Sequence, residues 1–211
     1  MKATCAMSDT PLLIAGLGNP GAEYARNRHN AGFMAVDTIH ESYRFGPWRS
    51  RFQGLVSEGR LGGRKVHLLK PMTFMNESGQ SVGAAARFFK LPLSAIVVIH
   101  DEIDLAAGKL RVKTGGGDAG NNGARSITAA IGSDYRRVRI GIGHPGEKHR
   151  VHGHVLGNFT KADEEWLVPM LSAIAEAAPL LASDDDVGFM NKAAVLLNPP
   201  AKKEKPQEKD R

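Results

Sequence analysis

The sequence predicts an α/β protein: a single domain with a central twisted mixed sheet flanked by helices. Three observations carry this. Strand and helix signals alternate along most of the chain. The continuous apolar run 12–17, and residues 95–102 with polar groups only at their carboxyl end, read as buried strands of a parallel sheet. The 211 residues suit one generous domain better than two cramped ones, and a chain of that size buries roughly 70% of its unfolded surface without staples.

The elements follow in order. The first strand, 12–17, ends in a glycine turn at Gly18. Asn30 is placed to cap a helix reaching about Tyr43, with Phe33, Val36, Ile39 and Tyr43 on one face. Residues 52–61 and 64–71 flank Gly62-Gly63, a hairpin signal. Residues 78–90 read as a helix and 95–102 as a buried strand with polar residues at its carboxyl end. Residues 109–114 alternate like a half-exposed strand, 122–132 read as a short helix closed by Gly132, and 136–143 as a strand. Thr160 and Asp163 form a capping-box pattern for a helix to about Ser183, and a last helix covers about 187–197. Residues 1–10 read as a flexible leader, 11–197 as the catalytic domain, and 198–211, rich in proline and charge, as a disordered tail.

Composition narrows the class. Hydrophobic residues at 42% and charged residues at 24% exclude disorder, collagen and coiled coil for the whole chain. Cys5 is the only cysteine, so an intrachain disulfide or a thiolate zinc site is excluded and a reducing, cytoplasmic setting is expected. The N-terminus lacks the apolar core of a signal peptide. No membrane span is expected, because Glu176 and two prolines interrupt the Ala/Leu-rich stretch 167–182. The net charge of +6 favours an anionic partner.

Ligands of open α/β sheets bind beyond the carboxyl ends of strands. Three polar clusters fall at such places: 18–21, His100-Asp101-Glu102, and the glycine run 115–117. Gly16, Gly18 and Gly21 match a dinucleotide fingerprint, but the helix starts only near Asn30 and no acidic residue ends the next strand, so nucleotide binding is disfavoured. His29 leaves the first strand's end, where Asp101 can meet it. A carboxylate on one imidazole nitrogen leaves the other to take a proton from water; a purely structural contact is the alternative. With no G-x-S-x-G and Cys5 in the leader, activated water is favoured over a covalent intermediate. Asp101 and Glu102 alternate faces of a strand, which argues against a shared metal.

Asn19, Asn76 and Asn122 are each an ordinary turn residue alone, but together they can grip a peptide backbone. Met72 and Phe74 suit an apolar group beside them. The loop 114–123 reads as a mobile lid rather than a phosphate cradle. Lys109, Arg111 and Lys113 share one strand face, as do Arg137 and Arg139, two rows suited to a nucleic-acid backbone. His144, His149, His152 and His154 fit no metal motif and read as a basic loop at the cleft mouth.

Taken together, Gly18-Asn19-Pro20-Gly21 with Tyr24, Arg28-His29-Asn30-Ala31-Gly32, Thr73-Phe74-Met75-Asn76 with Ser78-Gly79, His100-Asp101-Glu102 with Asp104-Leu105, Gly115-Gly116-Gly117 through Asn122-Gly123, and Arg139 to Gly146 closely resemble the bacterial peptidyl-tRNA hydrolase family, in order, from about Leu12 to Leu197. The resemblance implies hydrolysis of the ester between peptide and tRNA, with His29 as the base, Asp101 holding it and Asn19 discriminating peptidyl from aminoacyl ends. It implies Asn76, Asn122, Tyr24 and Phe74 as substrate contacts, and Lys113 and Arg139 as phosphate contacts. It implies peptidyl-tRNA as the partner, with stalled large ribosomal subunits as a second, and a monomer without metal or cofactor. One departure stands out: Asn121 occupies a position where the family often has His, which removes any cationic help there. A tRNA- or ribosome-binding protein without catalysis is the competing reading, which the His29–Asp101 pair disfavours.

Overall fold

The computed structural model describes residues 10–199. The expected leader, with Cys5, and most of the expected tail lie outside the described residues. The elements are β1 (Leu12–Gly16), α1 (Ala31–Ser42), β2 (Arg49–Arg51), β3 (Gly54–Leu61), β4 (Arg64–Pro71), α2 (Ser78–Phe88), β5 (Ile96–Glu102), β6 (Leu110–Thr114), α3 (Asn122–Ile131), β7 (Arg136–Gly141), α4 (Val151–Val155), α5 (Glu164–Ala182) and α6 (Asp186–Leu197).

Among the described residues, seven strands form one mixed sheet in the order β2-β3-β4-β1-β5-β7-β6. β1 lies parallel between β4 and β5, and β7 lies parallel to β5. The outer pairs β2/β3, β3/β4 and β6/β7 are antiparallel. The Gly62-Gly63 hairpin joins β3 to β4 as expected, both glycines at positive φ.

The apolar runs are continuous because both sheet faces are covered. Leu12 and Ile14 join Val97 and Ile99 beneath α1, α5 and α6, while Leu13 and Ala15 join Ile96 and Val98 beneath α2 and α3. Side chains alternate along each strand, so neighbouring residues serve opposite cores.

Two local expectations change, both on α1, while α5 forms as the helix expected to about Ser183 and continues through Pro169 and Pro179. The hydrogen bonds that proline removes are outweighed by packing of Leu167, Met170, Ile174 and Leu181 in the core. By length and composition α5 qualifies as a membrane span, yet half of it is buried inside the fold. Its start is as read: Thr160 N–H donates to Asp163 Oδ2 (2.8 Å) and Asp163 N–H to Thr160 Oγ1 (3.2 Å). On α1 the buried stripe is Ala35, Val36 and Ile39, whereas Phe33 is half-exposed. Asn30 occupies the N-cap position of α1, but its side chain makes no cap.

Candidate active site

The parallel strands β1 and β5 end side by side, with Leu17 N–H donating to Ile99 O at 2.9 Å. The first turn of α1 is pressed onto these ends. A Cβ on Gly32 would lie 2.2 Å from Ile99 O and 2.3 Å from Leu17 N, so only glycine permits the approach. Gly16 faces the same crossing, where an added Cβ would lie 2.2 Å from Gly32 O. This crossing, rather than a dinucleotide, explains two of the conspicuous glycines.

His29 sits in a single helical turn, Arg28–Asn30, just before α1. The turn is fixed from the far side of the molecule. Arg28 pairs with Asp163 at 2.7 Å and donates to Asn158 O at 3.0 Å, while Asn27 Nδ2 donates to Asn158 Oδ1 at 2.7 Å. His29 Nδ1 lies 2.9 Å from both carboxylate oxygens of Asp101. Both side chains are buried. Burial opposes the charged imidazole, but the Asp101 charge and hydrogen bond outweigh it and raise the His29 pKa above the usual 6.5. With Nδ1 held by Asp101, Nε2 is left as the proton acceptor.

Asn30 bonds reciprocally with the backbone of Asn19: Asn19 N–H donates to its Oδ1, and its Nδ2 donates to Asn19 O, both at 2.9 Å. Asn19 Oδ1 accepts from Met75 N–H at 2.8 Å. That bond fixes the orientation of the Asn19 amide, which lines the cavity with an acceptor and two donors.

Two cavities meet at His29. One, about 370 Å³, is lined by Asn19, Tyr24, His29, Phe74, Asn76 and Asn122. All six were singled out in the sequence, and the fold brings them together. The other, about 300 Å³, includes His29, Asp101, Glu102, Asn121, Asn122 and Lys148. Asn122 and His152 border both. Lys148 and His152 show that the histidine-rich segment does reach the cleft mouth, and no metal-holding cluster of His, Cys, Asp and Glu is present among the described residues.

Lys113 and Arg139 line neither cavity. Lys113 is exposed on the edge strand β6, its ammonium beside Gly116. Arg139, on β7, is partly buried, 3.7 Å from the Glu102 carboxylate. The expected row with Arg137 does not form. Arg137 is buried, and its guanidinium donates to Gly116 O (2.6 Å) and Gly117 O (2.8 Å). It tethers the glycine loop from below, and a strand's far face gave no hint of that.

Sequence reasoning singled out Asn121 but missed its contact, in which Nδ2 donates to Asp101 Oδ1 at 3.1 Å. It took Asn30 for a helix cap rather than the partner of Asn19. Both contacts join residues at least 11 positions apart, and an asparagine in a loop carries no local signal for such a partner.

Comparison with known proteins places the chain among relatives. A family model for peptidyl-tRNA hydrolase matches residues 13–205. The chain is 58% identical to a peptidyl-tRNA hydrolase of Mesorhizobium japonicum, over 93% of this chain and 85% of the relative. It is 60% identical to that of Parvibaculum lavamentivorans, over 94% and 98%. A crystal structure of peptidyl-tRNA hydrolase from Acinetobacter baumannii superposes with a TM-score of 0.83 at 42% identity, covering 88% of this chain and 95% of the other. Matches of this length and identity place the chain in one family: it belongs to the peptidyl-tRNA hydrolases.

Proposed function

We propose that this enzyme hydrolyses the ester between a peptide and the terminal ribose of tRNA with water activated by His29. The supporting observation is the buried His29–Asp101 pair opening onto an amide-lined cavity. Asp101 holds the Nδ1–H tautomer, and Nε2 takes a proton from water. The hydroxide so formed adds to the ester carbonyl. Collapse of the tetrahedral intermediate expels the ribose oxygen, which recovers the proton from His29, giving a peptide acid and free tRNA. Asp101 stabilises the imidazolium that exists between these steps.

The amides set the substrate. Asn19, Asn76 and Asn122 offer dipoles to a peptide backbone and its developing oxyanion, and Tyr24 and Phe74 flank them. Lys113 and Arg139, outside the cavity, neutralise tRNA phosphates. The chemistry uses an imidazole and water and calls on no metal or cofactor. On this reading the enzyme acts as a cytoplasmic monomer, on free peptidyl-tRNA and on that held by stalled large ribosomal subunits.

The test is incubation of the purified protein with peptidyl-tRNA and with unblocked aminoacyl-tRNA. Rapid release of tRNA from the first and slow release from the second is expected. Binding without cleavage would overturn the reading in favour of a non-catalytic tRNA-binding protein.

A further inference from the structure

We propose that Asn121 is a positioning residue of this reaction, clamping Asp101 against His29 and tying the pair to the start of α3. The inference rests on the reading of His29 and Asp101 as the water-activating pair.

Both ends of the Asn121 amide are committed. Its Oδ1 caps α3 by accepting from Ala124 N–H at 3.0 Å. With the oxygen on that N–H, the NH₂ must turn toward Asp101, where it donates to Oδ1 at 3.1 Å and to the backbone carbonyl at 3.3 Å. Asn121 and Asp101 are both buried, so the contact works with little water to screen it.

The Asp101 carboxylate therefore has donors from two elements: His29 in the turn before α1, and Asn121 at the head of α3. One donor alone lets a carboxylate swivel about its last torsion. Two donors from separate elements fix its plane, and with it the imidazole.

The chemistry of the clamp matters too. An amide donates without carrying charge. It orients Asp101 while leaving the negative charge available to the imidazolium that forms on His29. A cation at position 121 would orient Asp101 but compete for that charge. The uncharged residue at 121 thus reaches the catalytic pair directly.

Other groups around the pair leave this role to Asn121. On β5, His100 Nδ1 donates to the Asp101 carbonyl at 2.7 Å, and burial lowers the pKa of this histidine, keeping it neutral. Glu102 points to Arg139 and Asp104 N–H, and burial raises its pKa. On β7, Arg137 is spent on the glycine loop, where it also meets Asp118. Arg28 is paired with Asp163. Lys148 and His152 border the cavity from the segment around α4.

Two variants separate the clamp from the cap. Asn121→Ser and Asn121→Asp both retain a good helix-capping oxygen. Serine is too short to cap α3 and also reach Asp101, and aspartate turns a carboxylate toward it. Tm, kcat, KM and the pH profile of kcat/KM would be measured on peptidyl-tRNA for both variants and the wild type.

Asn121→Ser is expected to fold with a Tm lower by only a few degrees, about what one lost hydrogen bond costs, to keep its KM, and to lose on the order of ten- to a hundredfold in kcat. Its acid limb should move to higher pH, because Asp101 then spends its charge on His29 alone. Asn121→Asp should move the limb further in the same direction, and its profile decides the matter if the serine variant fails to fold. A wild-type profile without an acid limb would sink the His29 reading itself. A wild-type limb that folded Asn121→Ser or Asn121→Asp leaves unmoved overturns the role of Asn121 alone.

Discussion

Replacing Gly32 by alanine tests whether the close crossing of α1 over β1 and β5 sets the catalytic geometry. The added Cβ would stand 2.2 Å from Ile99 O, 2.3 Å from Leu17 N and 2.7 Å from Leu17 O. All three are backbone atoms of strand ends in the sheet centre and cannot swing away. An ordinary contact needs 3.4 Å or more, so the first turn of α1 must retreat by roughly 1 Å. Overpacking of this kind costs about 3 kcal/mol or slightly more, which lowers Tm by about 6–12 °C in a chain of this size. His29 is three residues upstream in the adjoining turn and moves with it. A misplacement of about 1 Å at a reacting group costs on the order of 10²-fold in rate. The assay is thermal unfolding together with kcat/KM on peptidyl-tRNA, at a temperature where the variant is folded. The control is Gly153→Ala in α4, where an added Cβ meets nothing within 4 Å; it should be neutral or stabilising by up to about 1 kcal/mol. A Gly32→Ala protein with wild-type Tm and turnover would refute the claim that this approach seats His29 on Asp101.

Two further outcomes follow from the site. Lys113→Ala should weaken tRNA binding and reduce its log–log salt slope by about 1; adding Arg139→Ala should reduce it by less again, because Glu102 already offsets part of that charge. Cleavage of a small ester of a blocked amino acid should be nearly unaffected, and equal losses on both substrates would indicate structural damage instead. Asn19→Asp keeps an oxygen for Met75 N–H but places carboxylate charge where the NH₂ faced the cavity. It should lower kcat/KM on peptidyl-tRNA and narrow the preference over aminoacyl-tRNA, since the free ammonium then finds a counter-charge; an unchanged preference would exclude Asn19 as the discriminator.

Much of this architecture was legible because its causes are local. Residues 12–17 and 96–99 are apolar without interruption, which only a strand covered on both faces tolerates. The glycines at 62–63 and 132 mark turns that few other residues make. The six residues around the larger cavity were legible through their places at strand ends and by resemblance. What stayed hidden depends on distant partners. β2 is three exposed residues paired with β3, so no burial pattern betrays it. Arg137 and Arg139 look alike in a strand's alternation, yet Arg137 meets the carbonyls of the glycine loop and Arg139 a carboxylate. Asn30 reads as a helix cap and Asn121 as an uncharged residue where the family often has His. Only the folded chain shows that Asn30 braces Asn19 instead, and that Asn121 caps α3 and holds Asp101 as well.

The most direct test of the account is the turnover of His29→Ala on peptidyl-tRNA, measured beside its thermal stability. Removing the group that takes the proton from water should leave the chain folded and reduce kcat by about 10²–10⁴-fold, the usual worth of general acid–base catalysis. A folded His29→Ala enzyme that turns over peptidyl-tRNA at close to the wild-type rate would contradict the mechanism at its centre.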